Sequence, residues 1–337
     1  MKNEPEEKIM PVGGQAVIEG VMMRSPKRIA TAIRRANGNI EVKVQEFQSL
    51  IQRKKYLNIP IIRGAVTLIE VMILGIKTLQ WSADKAMEDL EEEEKKKKGK
   101  ESKTSDKKGM STLGAVFSVT VALVAGIGIF FVLPLYLTTA VFNIEKQAVL
   151  FNFVAGAFRI TLFLAYLSGI SFMKDVKRLF QYHGAEHKTI YNFENKEVLS
   201  PQNAAKYTTL HPRCGTSFLM IVMLVSLVFF AVLDTFIILW LGKMSLLIRL
   251  VTHIPLIPVV GGLSFEALKA SATRTENPIV RILIAPGLWL QRITTKKPDE
   301  QQLEVAIVAL KSALGEDYAE ELVAAPLIES QVIMAEA

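Results

Sequence analysis

The chain is poor in the residues that most often perform chemistry in proteins. Its 337 residues include one cysteine and four histidines. A single cysteine cannot form an internal disulfide, so nothing in the composition indicates an oxidising compartment. The chain begins with a polar stretch that no apolar run with a cleavage site follows, so we expect no cleavable signal peptide. No motif that combines aromatic and basic residues accompanies the net charge of +7, and we expect no nucleic-acid partner.

Apolar residues, in contrast, are abundant. They make up 50% of the chain, and the mean hydropathy is +0.29. This profile is typical of a polytopic membrane protein with soluble parts. Four apolar segments are each near the ~20 residues that are needed to cross a bilayer. They lie at about 113–141, 149–173, 217–241 and 246–268, which predicts two transmembrane helices within residues 113–173 and two within residues 217–270.

Lysine and arginine are distributed unevenly between the segments that connect these spans. They are dense before the first span, between the second and third, and after the fourth. The short connections near residues 143–146 and 242–244 carry one lysine each. By the positive-inside rule, we expect a multi-pass protein whose two termini and residues 174–216 face the cytoplasm. The net charge of +7 suits loops beside an anionic leaflet of the lipid bilayer.

Residues 1–56 are predicted to form a small cytoplasmic β-rich element. Two runs capable of forming strands, 29–35 and 40–47, flank a turn sequence that contains Asn37 and Gly38. Asn-Gly between such runs is a strong hairpin signal. We therefore expect a β-hairpin within this segment.

Residues 57–87 are predicted to be helical. Their apolar run is interrupted by Arg63, Glu70 and Lys77, which are seven residues apart and share one stripe of a helix. Three charges are costly at a bilayer centre, so we expect an amphipathic helix that is interfacial, re-entrant or packed in the bundle. Residues 88–112 contain a run of acids and then lysines, which predicts a charged flexible linker or a frayed helix.

Residues 271–337 are predicted to be a cytoplasmic region with amphipathic helices. Residues 278–293 are apolar and carry a tryptophan, which indicates a surface-lying helix that Pro286 and the following glycine break. Asp299 opens a second helix, in which apolar residues recur at i, i+3, i+4 and i+7 from Leu303. The fold class is thus a mainly α membrane protein with about four transmembrane helices, interfacial amphipathic helices and a small N-terminal β-rich element.

Several ionisable residues lie within the predicted spans. Arg159 is deep in the second span and is expected to face the bundle or to snorkel. Asp234 and Arg249 are placed near the outer interface. His253 lies on that side too and is expected to be a packed or interfacial histidine rather than a ligand. Glu266 falls near the cytoplasmic end of the fourth span, where it could approach a cytoplasmic site.

Three of the four histidines and the only cysteine lie within one short stretch. His183 and His187 are four residues apart, which on a helix places both imidazoles on one face. Glu186 completes a His-x-x-Glu-His pattern, the inverted zinc-protease order in which the glutamate is the general base. His211 and Cys214, just before the third span, offer another imidazole and a thiol. Because both ends of this segment are anchored at one membrane surface, we expect these groups to converge.

These residues allow several interpretations. With His183, His187, His211 and Cys214 all bound, a zinc ion or another divalent metal is four-coordinate and structural. With three of them bound and water in the fourth position, the site is catalytic and Glu186 is the general base. With no metal, the residues form a polar hydrogen-bonded loop. Cys214 as a nucleophile activated by a histidine ranks below metal ligation, because no flanking pattern of a thiol-enzyme family is visible.

Four other polar residues are weaker candidates. Glu19 lies among glycines and is either an additional acid or ligand near the site or merely a charge beside a turn. Arg24 and Arg213 could bind an anionic group, although cytoplasmic arginines usually face lipid phosphates. Ser217 has no nucleophile-elbow motif around it, and we assign it no catalytic role.

Several segments carry a resemblance to a known family. They are Gly13 to Arg24, Tyr182 to Thr189, His211 to Ser217 and Pro286 to Gln291. Together with the helix after Asp299, they resemble the bacterial YqhQ-like family over about residues 10–314. The resemblance implies a polytopic protein of the bacterial cell membrane, of a kind labelled as predicted metal-dependent enzymes of unknown function. That label rests on the same histidine, glutamate and cysteine residues, so it implies no substrate and adds no independent support for catalysis.

Two hypotheses about function follow. The first is an integral-membrane, metal-dependent hydrolase whose substrate is a lipid, a membrane peptide or another amphiphile that enters laterally. The second is a non-catalytic scaffold or assembly factor for an unknown membrane protein, with a structural metal or none. Residues 59–81 and 278–293 would then bind the partner. A transporter is disfavoured, because few charged residues line the predicted mid-bilayer region and no inverted repeat is visible.

Overall fold

A five-stranded sheet is built mainly from the start of the chain. In the computed structural model the described residues are 10–98, 112–272, 277–315 and 332–335. The strands, in their spatial order, are β1 (Gly13–Val17), β2 (Gly20–Arg24), β3 (Arg28–Arg34), β4 (Ile40–Glu46) and β5 (Val332–Met334). The first four strands run antiparallel, and β5 pairs in parallel with β4.

The predicted hairpin is confirmed as the β3–β4 pair. Arg34 pairs with Ile40 at the end of the two strands. In the turn between them Gly38 has a φ of +88°, a left-handed conformation that favours glycine. The sequence signal and the backbone geometry therefore agree here.

Helices make up most of the described chain. The α-helices are α1 (Leu50–Arg53), α2 (Ile62–Lys98), α3 (Thr112–Ile127), α4 (Leu133–Val141), α5 (Ala148–Ile170), α6 (Lys174–Glu194), α7 (Pro201–Ala205), α8 (Gly215–Leu241), α9 (Leu246–His253), α10 (Ile257–Ala272), α11 (Pro278–Thr294) and α12 (Glu300–Leu314). A π-helical turn, Gly128–Val132, joins α3 to α4, and a 3-10 turn, Ile254–Leu256, joins α9 to α10. Another 3-10 turn, Lys55–Leu57, follows α1.

Four helical segments are long and apolar enough to cross a membrane. They are Phe117–Val141, Ala148–Ile170, Gly215–Leu241 and Leu246–Ser271. By length and composition they match the four predicted spans. The first combines α3 and α4, and the fourth combines α9 and α10. α8 is central to this bundle, because α5, α10 and α11 all pack against it.

Arg159 faces the interior of the bundle. Its Nε donates to the carbonyl oxygen of Phe130 at 3.0 Å, and its Nη1 donates to Ser226 Oγ at 3.0 Å. Its guanidinium also lies 4.9 Å from the centroid of the Phe131 ring. The Phe130 carbonyl belongs to the π-helical turn, where the regular helical pattern of hydrogen bonds is interrupted. Arg159 thus supplies a donor to this turn.

A second polar cluster contains Asp234 and Arg249, whose side chains are both fully buried between helices. One Asp234 oxygen accepts from Arg249 Nε at 2.9 Å and from Asn152 Nδ2 at 2.7 Å. The other oxygen lies 2.8 Å from His253 Nε2. The ring of His253 stacks on Phe230 with 4.0 Å between centroids, so His253 is packed as expected. This cluster connects α5, α8 and α9.

The α2 helix is longer than predicted and connects the bundle to the sheet. Its 37 residues correspond to about 55 Å at the usual rise of an α-helix. Near its start, a Cβ at Gly64 would lie 2.7 Å from the Gly262 carbonyl oxygen, so α2 crosses α10 closely. Near its end, Asp89 forms a salt bridge with Arg35 of the turn after β3 at 2.8 Å.

The predicted linker therefore begins later than residue 88. Its first part, the acids and the lysines up to Lys98, is helical and belongs to α2. These residues are strong helix formers, and Arg35 binds Glu88 and Asp89 of this part. The remaining part of the prediction, residues 99–111, lies outside the described residues. Whether it is a flexible linker stays a prediction.

Two of the C-terminal predictions also need correction. Pro286 does not break α11, which is continuous through it. Packing of α11 against α8 offsets the backbone hydrogen bond that proline removes, since a Cβ at Gly287 would lie 2.7 Å from Ser217 Cβ. The helix α12 begins with the expected cap at Asp299, but it is buried on nearly all sides rather than amphipathic. Its neighbours α6, α7, β2 and β3 surround it.

Segments from three parts of the chain form one body beside the bundle. The strands β1 to β4 precede the first apolar span, α6 lies between the second and third, and α12 follows the fourth. One face of the sheet packs on α6 and α12, around buried residues such as Met23, Tyr182 and Ile307. The other face packs on Leu74 and Trp81 of α2. Because α6 continues from α5 almost directly, this body adjoins the end of the bundle.

We expect Asp234→Ala to destabilise the protein by about 3–5 kcal/mol, because it leaves the buried Arg249 charge without its partner. Thermal unfolding in a mild detergent measures the loss. The double variant Asp234→Leu with Arg249→Met removes both charges and should recover much of the stability. Equal unfolding midpoints for Asp234→Ala and the unmodified chain would show that the cluster is not structural.

Candidate metal site

The helix α6 carries the first part of the candidate site. Within residues 174–216, which connect the second and third apolar helices, 21 residues form α6 and a further turn of helix follows in α7. The spacing of His183 and His187 places both rings on one face, as the sequence predicts, with 4.5 Å between ring centroids. A Cβ at Gly184 would lie 2.1 Å from the Lys296 carbonyl oxygen. Glycine at this position therefore allows α6 to contact the backbone of Lys296, just after the end of α11.

Backbone carbonyl groups orient the two imidazoles. His183 Nδ1 lies 2.8 Å from the Thr294 oxygen, and His187 Nδ1 is hydrogen-bonded to the Thr209 oxygen. A carbonyl oxygen can only accept, so each Nδ1 carries the proton and each Nε2 has a free lone pair. Metal-binding histidines in proteins usually have this arrangement, because the Nδ1 bond fixes the tautomer and the ring.

Cys214 completes a group of three ligand atoms. Its Sγ lies 3.1 Å from His183 Nε2. The candidate ligand atoms of His183, His187 and Cys214 all lie within 4.8 Å of one another. The thiol also caps the start of α8, where Thr216 N donates to Sγ at 3.4 Å.

An unsatisfied atom indicates that this group fits a metal ion. His187 is almost fully buried, yet its Nε2 has no hydrogen-bond partner among the described residues. A buried imidazole nitrogen without a partner costs free energy, and a cation bound by the lone pair removes that cost. Two imidazoles and a thiol are the ligand types that zinc prefers.

His211, the fourth predicted ligand, is turned away from the group. Its Nδ1 accepts from the Arg213 backbone N–H at 3.3 Å, so the neutral ring carries its proton on Nε2. That Nε2 faces the Glu194 carboxylate at 3.5 Å. Burial opposes ionisation of Glu194, but the nearby His211 ring and the charge of Arg213 hold its pKa below the usual value. In this tautomer His211 offers no lone pair to a metal held by the other three residues.

The Glu186 carboxylate lies beside the ligand atoms without joining the group of three. Its Oε2 is 3.6 Å from His187 Nε2 and 3.8 Å from His183 Nε2. Burial raises the pKa of Glu186, although His183, His211 and the Gly14 N–H partly oppose the shift. A buried carboxyl group with a raised pKa exchanges a proton more readily near neutral pH than an exposed one.

One cavity of about 550 Å³ unites these residues. It is lined by the five predicted site residues and also by β1, which comes from the distant N-terminus. A Cβ at Gly14 would lie 2.8 Å from Glu186 Cγ, so only glycine allows β1 to approach the carboxylate this closely. Gln15 extends to α2, where its Oε1 lies 2.5 Å from the position of a Cβ on Gly75. The glycine-rich motif therefore forms a wall of the site.

The weaker candidates have separate outcomes. Arg24 and Arg213 line the cavity, and Arg213 is also bonded to Glu194. Glu19 instead forms a salt bridge with Arg178 of α6, so it is not a ligand of the site. Glu266 does not approach the cluster, because Arg63 of α2 binds its carboxylate.

Gln291 is a buried glutamine to which the sequence analysis assigned no role, and it contacts the backbone beside the site. Gln291 Oε1 accepts from the His211 backbone N–H at 2.7 Å, and its Nε2 donates to the His211 carbonyl at 2.7 Å. The same Nε2 donates to Ser217 Oγ at 2.8 Å, which gives Ser217 a structural contact. Gln291 thus fixes the backbone just before Cys214. Its polar side chain in the apolar segment 278–293 was the available signal.

The fold and the site define a class of protein: a mainly helical chain with four apolar helices of membrane length and a His, Cys and Glu cavity in an adjoining body. The chain belongs to the family described as protein of unknown function (DUF1385), which matches residues 59–316. It is similar to uncharacterized protein YqhQ of Bacillus subtilis (strain 168). The two are 34% identical over 309 residues, which cover 90% of this chain and 92% of that protein. No solved structure matches the chain.

We expect Gly14→Ala to destabilise the protein by about 1–3 kcal/mol, because the new methyl group would overlap Glu186 Cγ and the Met22 carbonyl oxygen. Gly13→Ala is the matched control, since a Cβ at Gly13 meets no atom within 4 Å. Thermal unfolding midpoints of the two variants provide the comparison. Equal midpoints would contradict the close approach of β1 to Glu186.

Proposed function

We propose that this protein is an integral-membrane, metal-dependent hydrolase with a cytoplasm-facing site at the membrane surface. The observation that carries the proposal is the orientation of His183 and His187 by backbone carbonyls toward the Cys214 thiol. His183, His187 and Cys214 hold the metal, and zinc suits this donor set. Three protein ligands leave a coordination position open, which is typical of a catalytic rather than a structural zinc site.

The location of the site is supported by charge and by packing. The lysine-rich segments and the site belong to the same side of the four apolar helices under the positive-inside rule. The body around the site combines segments from before the first span, between the second and third, and after the fourth. These segments can pack together only if they lie on the same side of the membrane. The chain must therefore cross the membrane an even number of times between one segment and the next. Both termini are then cytoplasmic.

Glu186 is the general base of the proposed reaction. A bound zinc ion would supply Lewis acidity and lower the pKa of water. Glu186 Oε2 takes a proton from the attacking water, whose oxygen forms a bond to the carbonyl carbon or phosphorus of the substrate. The bond to the leaving group then breaks, and the leaving group receives the proton from Glu186. The position of Glu186 suits this role, since its Oε2 lies 3.6 Å from His187 Nε2 and 3.8 Å from His183 Nε2.

The proposed substrate is an amphiphile that enters from the membrane. The cavity has the polar site residues at one side and apolar residues of α2, Val71 and Leu74, at another. Val71 is 41% exposed, so this apolar wall continues to the protein surface. A lipid or membrane peptide can therefore place a polar scissile group at Glu186 and an apolar part along α2.

One specific contact favours a thiol enzyme as the second candidate. Cys214 Sγ lies 3.1 Å from His183 Nε2 at the start of α8, an arrangement that also activates a cysteine nucleophile. In that mechanism His183 Nε2 accepts the thiol proton as Sγ bonds to a carbonyl carbon of the substrate, and the leaving group departs with that proton. Water then hydrolyses the thioester and restores the thiol. A wild-type protein that is active without metal and inactive as Cys214→Ser would favour it.

The metal content of the purified full-length protein tests the ligand set. We expect about one zinc per chain in the wild type, and loss of most of it in His183→Ala, His187→Ala and Cys214→Ser. His211→Ala is the matched control and should keep the metal, because its Nε2 faces Glu194. A wild type without stoichiometric metal would contradict the proposal, and metal loss in His211→Ala would favour a closed four-ligand structural site.

The role of Glu186 is tested with membranes of a strain that lacks the gene, where uncleaved substrate accumulates. We expect the purified wild type to consume a component of these membranes, detected by mass spectrometry, and Glu186→Gln to retain the metal but be at least about 100-fold slower. Glu91→Gln, an exposed acid of α2, is the control. Equal consumption by wild type and Glu186→Gln would contradict the role of Glu186 as the general base, and no consumption by either would favour a scaffold.

A further inference from the structure

Besides the proposed metal ligands and Glu186, the charged residue Arg24 lines the cavity. Arg24 is the last residue of β2, and its side chain lines the cavity together with Met22 of the same strand. Met22 packs with Leu74 and Trp81 of α2. Residues two apart in a strand share one face, so Arg24 projects toward α2 as Met22 does.

Aromatic packing holds the Arg24 guanidinium. Its central carbon lies 4.2 Å from the centroid of the Phe47 ring. Burial lowers the pKa of Arg24 from its usual high value, and the charge of Glu70 partly opposes that shift. The Glu70 oxygens are themselves bonded to Ser49 Oγ at 2.7 Å and to the Leu50 N–H at 2.8 Å. The Arg24 charge is therefore held in place by a ring, while the nearby acid is engaged by other donors.

The strand opposite Arg24 leaves space beside it. Arg24 pairs in register with Gly13 of β1, and directly paired residues of antiparallel strands project to the same face. A Cβ at Gly13 would meet no atom within 4 Å. The cavity thus has room for a ligand group next to the Arg24 side chain.

The two arginines of the cavity differ in their surroundings. Arg213 is bonded to Glu194, which also faces His211. Arg24 contacts the Phe47 ring, which orients a guanidinium but does not neutralise it. An anionic group in the cavity would gain charge-assisted hydrogen bonds from Arg24 without displacing a bonded carboxylate.

We propose that Arg24 binds an anionic group of the substrate, whose apolar part lies along Val71 and Leu74 of α2. This inference rests on the proposed function, because it assigns a substrate class to the same cavity: an amphiphile that carries a phosphate or a carboxylate. The anionic end is held by Arg24 on the side of β1 that faces α2, and the same cavity reaches the metal ligands on the side that faces α6.

Calorimetric binding to the full-length protein in phosphatidylcholine nanodiscs tests the proposal, with the metal removed by a chelator. The probes are dihexanoyl phosphatidic acid, dihexanoylglycerol and inorganic phosphate. We expect phosphatidic acid to bind most tightly and Arg24→Gln to weaken its binding at least about tenfold, with partial recovery in Arg24→Lys. Arg53→Gln removes an exposed arginine of α1 and should bind as the wild type does.

Two results would overturn the inference. Unchanged binding of phosphatidic acid by Arg24→Gln would exclude Arg24 as the anion-binding residue. Equal or tighter binding of inorganic phosphate or dihexanoylglycerol would show that the ligand is not an anionic amphiphile. Because these titrations use metal-free protein, they are independent of the metal content that tests the hydrolase. A metal-binding protein whose Arg24→Gln variant binds normally would refute only this inference.

Discussion

The site depends on two hydrogen bonds from imidazole to backbone. The carbonyl groups of Thr294 and Thr209 each accept from a histidine of α6, and they leave both Nε2 atoms facing Cys214. Thr294 ends α11, and Thr209 lies in the segment before α8. Three separate segments must therefore pack correctly before the ligand atoms converge. The close contact of Gly184 with the Lys296 carbonyl oxygen and the bonds of Gln291 to the His211 backbone secure that packing.

The same arrangement relates the body that contains the sheet to the bundle. The helix α6 follows α5 after a short turn, while Cys214 caps α8, so both sides of the ligand group are attached to apolar helices. The helix α2 adds a connection from outside, since it packs on α10 near Gly64 and on the sheet near Trp81. Charged side chains inside the bundle are used differently. The Asp234 cluster connects three helices through hydrogen bonds of the Asp234 carboxylate with Asn152, Arg249 and His253.

Local patterns in the sequence predicted much of the fold. Hydropathy gave the four apolar helices, Asn37 and Gly38 gave the β3–β4 hairpin, and Asp299 gave the start of α12. Each of these signals acts within one element. The predictions failed where a neighbour from elsewhere decides the outcome. Pro286 lies within a continuous helix because α8 packs against it, and α12 is buried on both its apolar and polar sides because α6 and the sheet enclose it.

By itself the sequence determined which residues have side chains of the metal-ligand type and that His183 and His187 share a helix face, because side-chain chemistry and helical spacing are local properties. Only the tertiary structure decided which of the four candidates converge. His211 lies close in sequence to Cys214, but the Arg213 N–H occupies its Nδ1 and Glu194 attracts its Nε2. The approach of β1 to Glu186 likewise depends on sheet packing that spans more than 170 residues of chain (from Gly14 to Glu186). The tautomers of His183 and His187 are set by carbonyl groups of other segments, which no local pattern encodes.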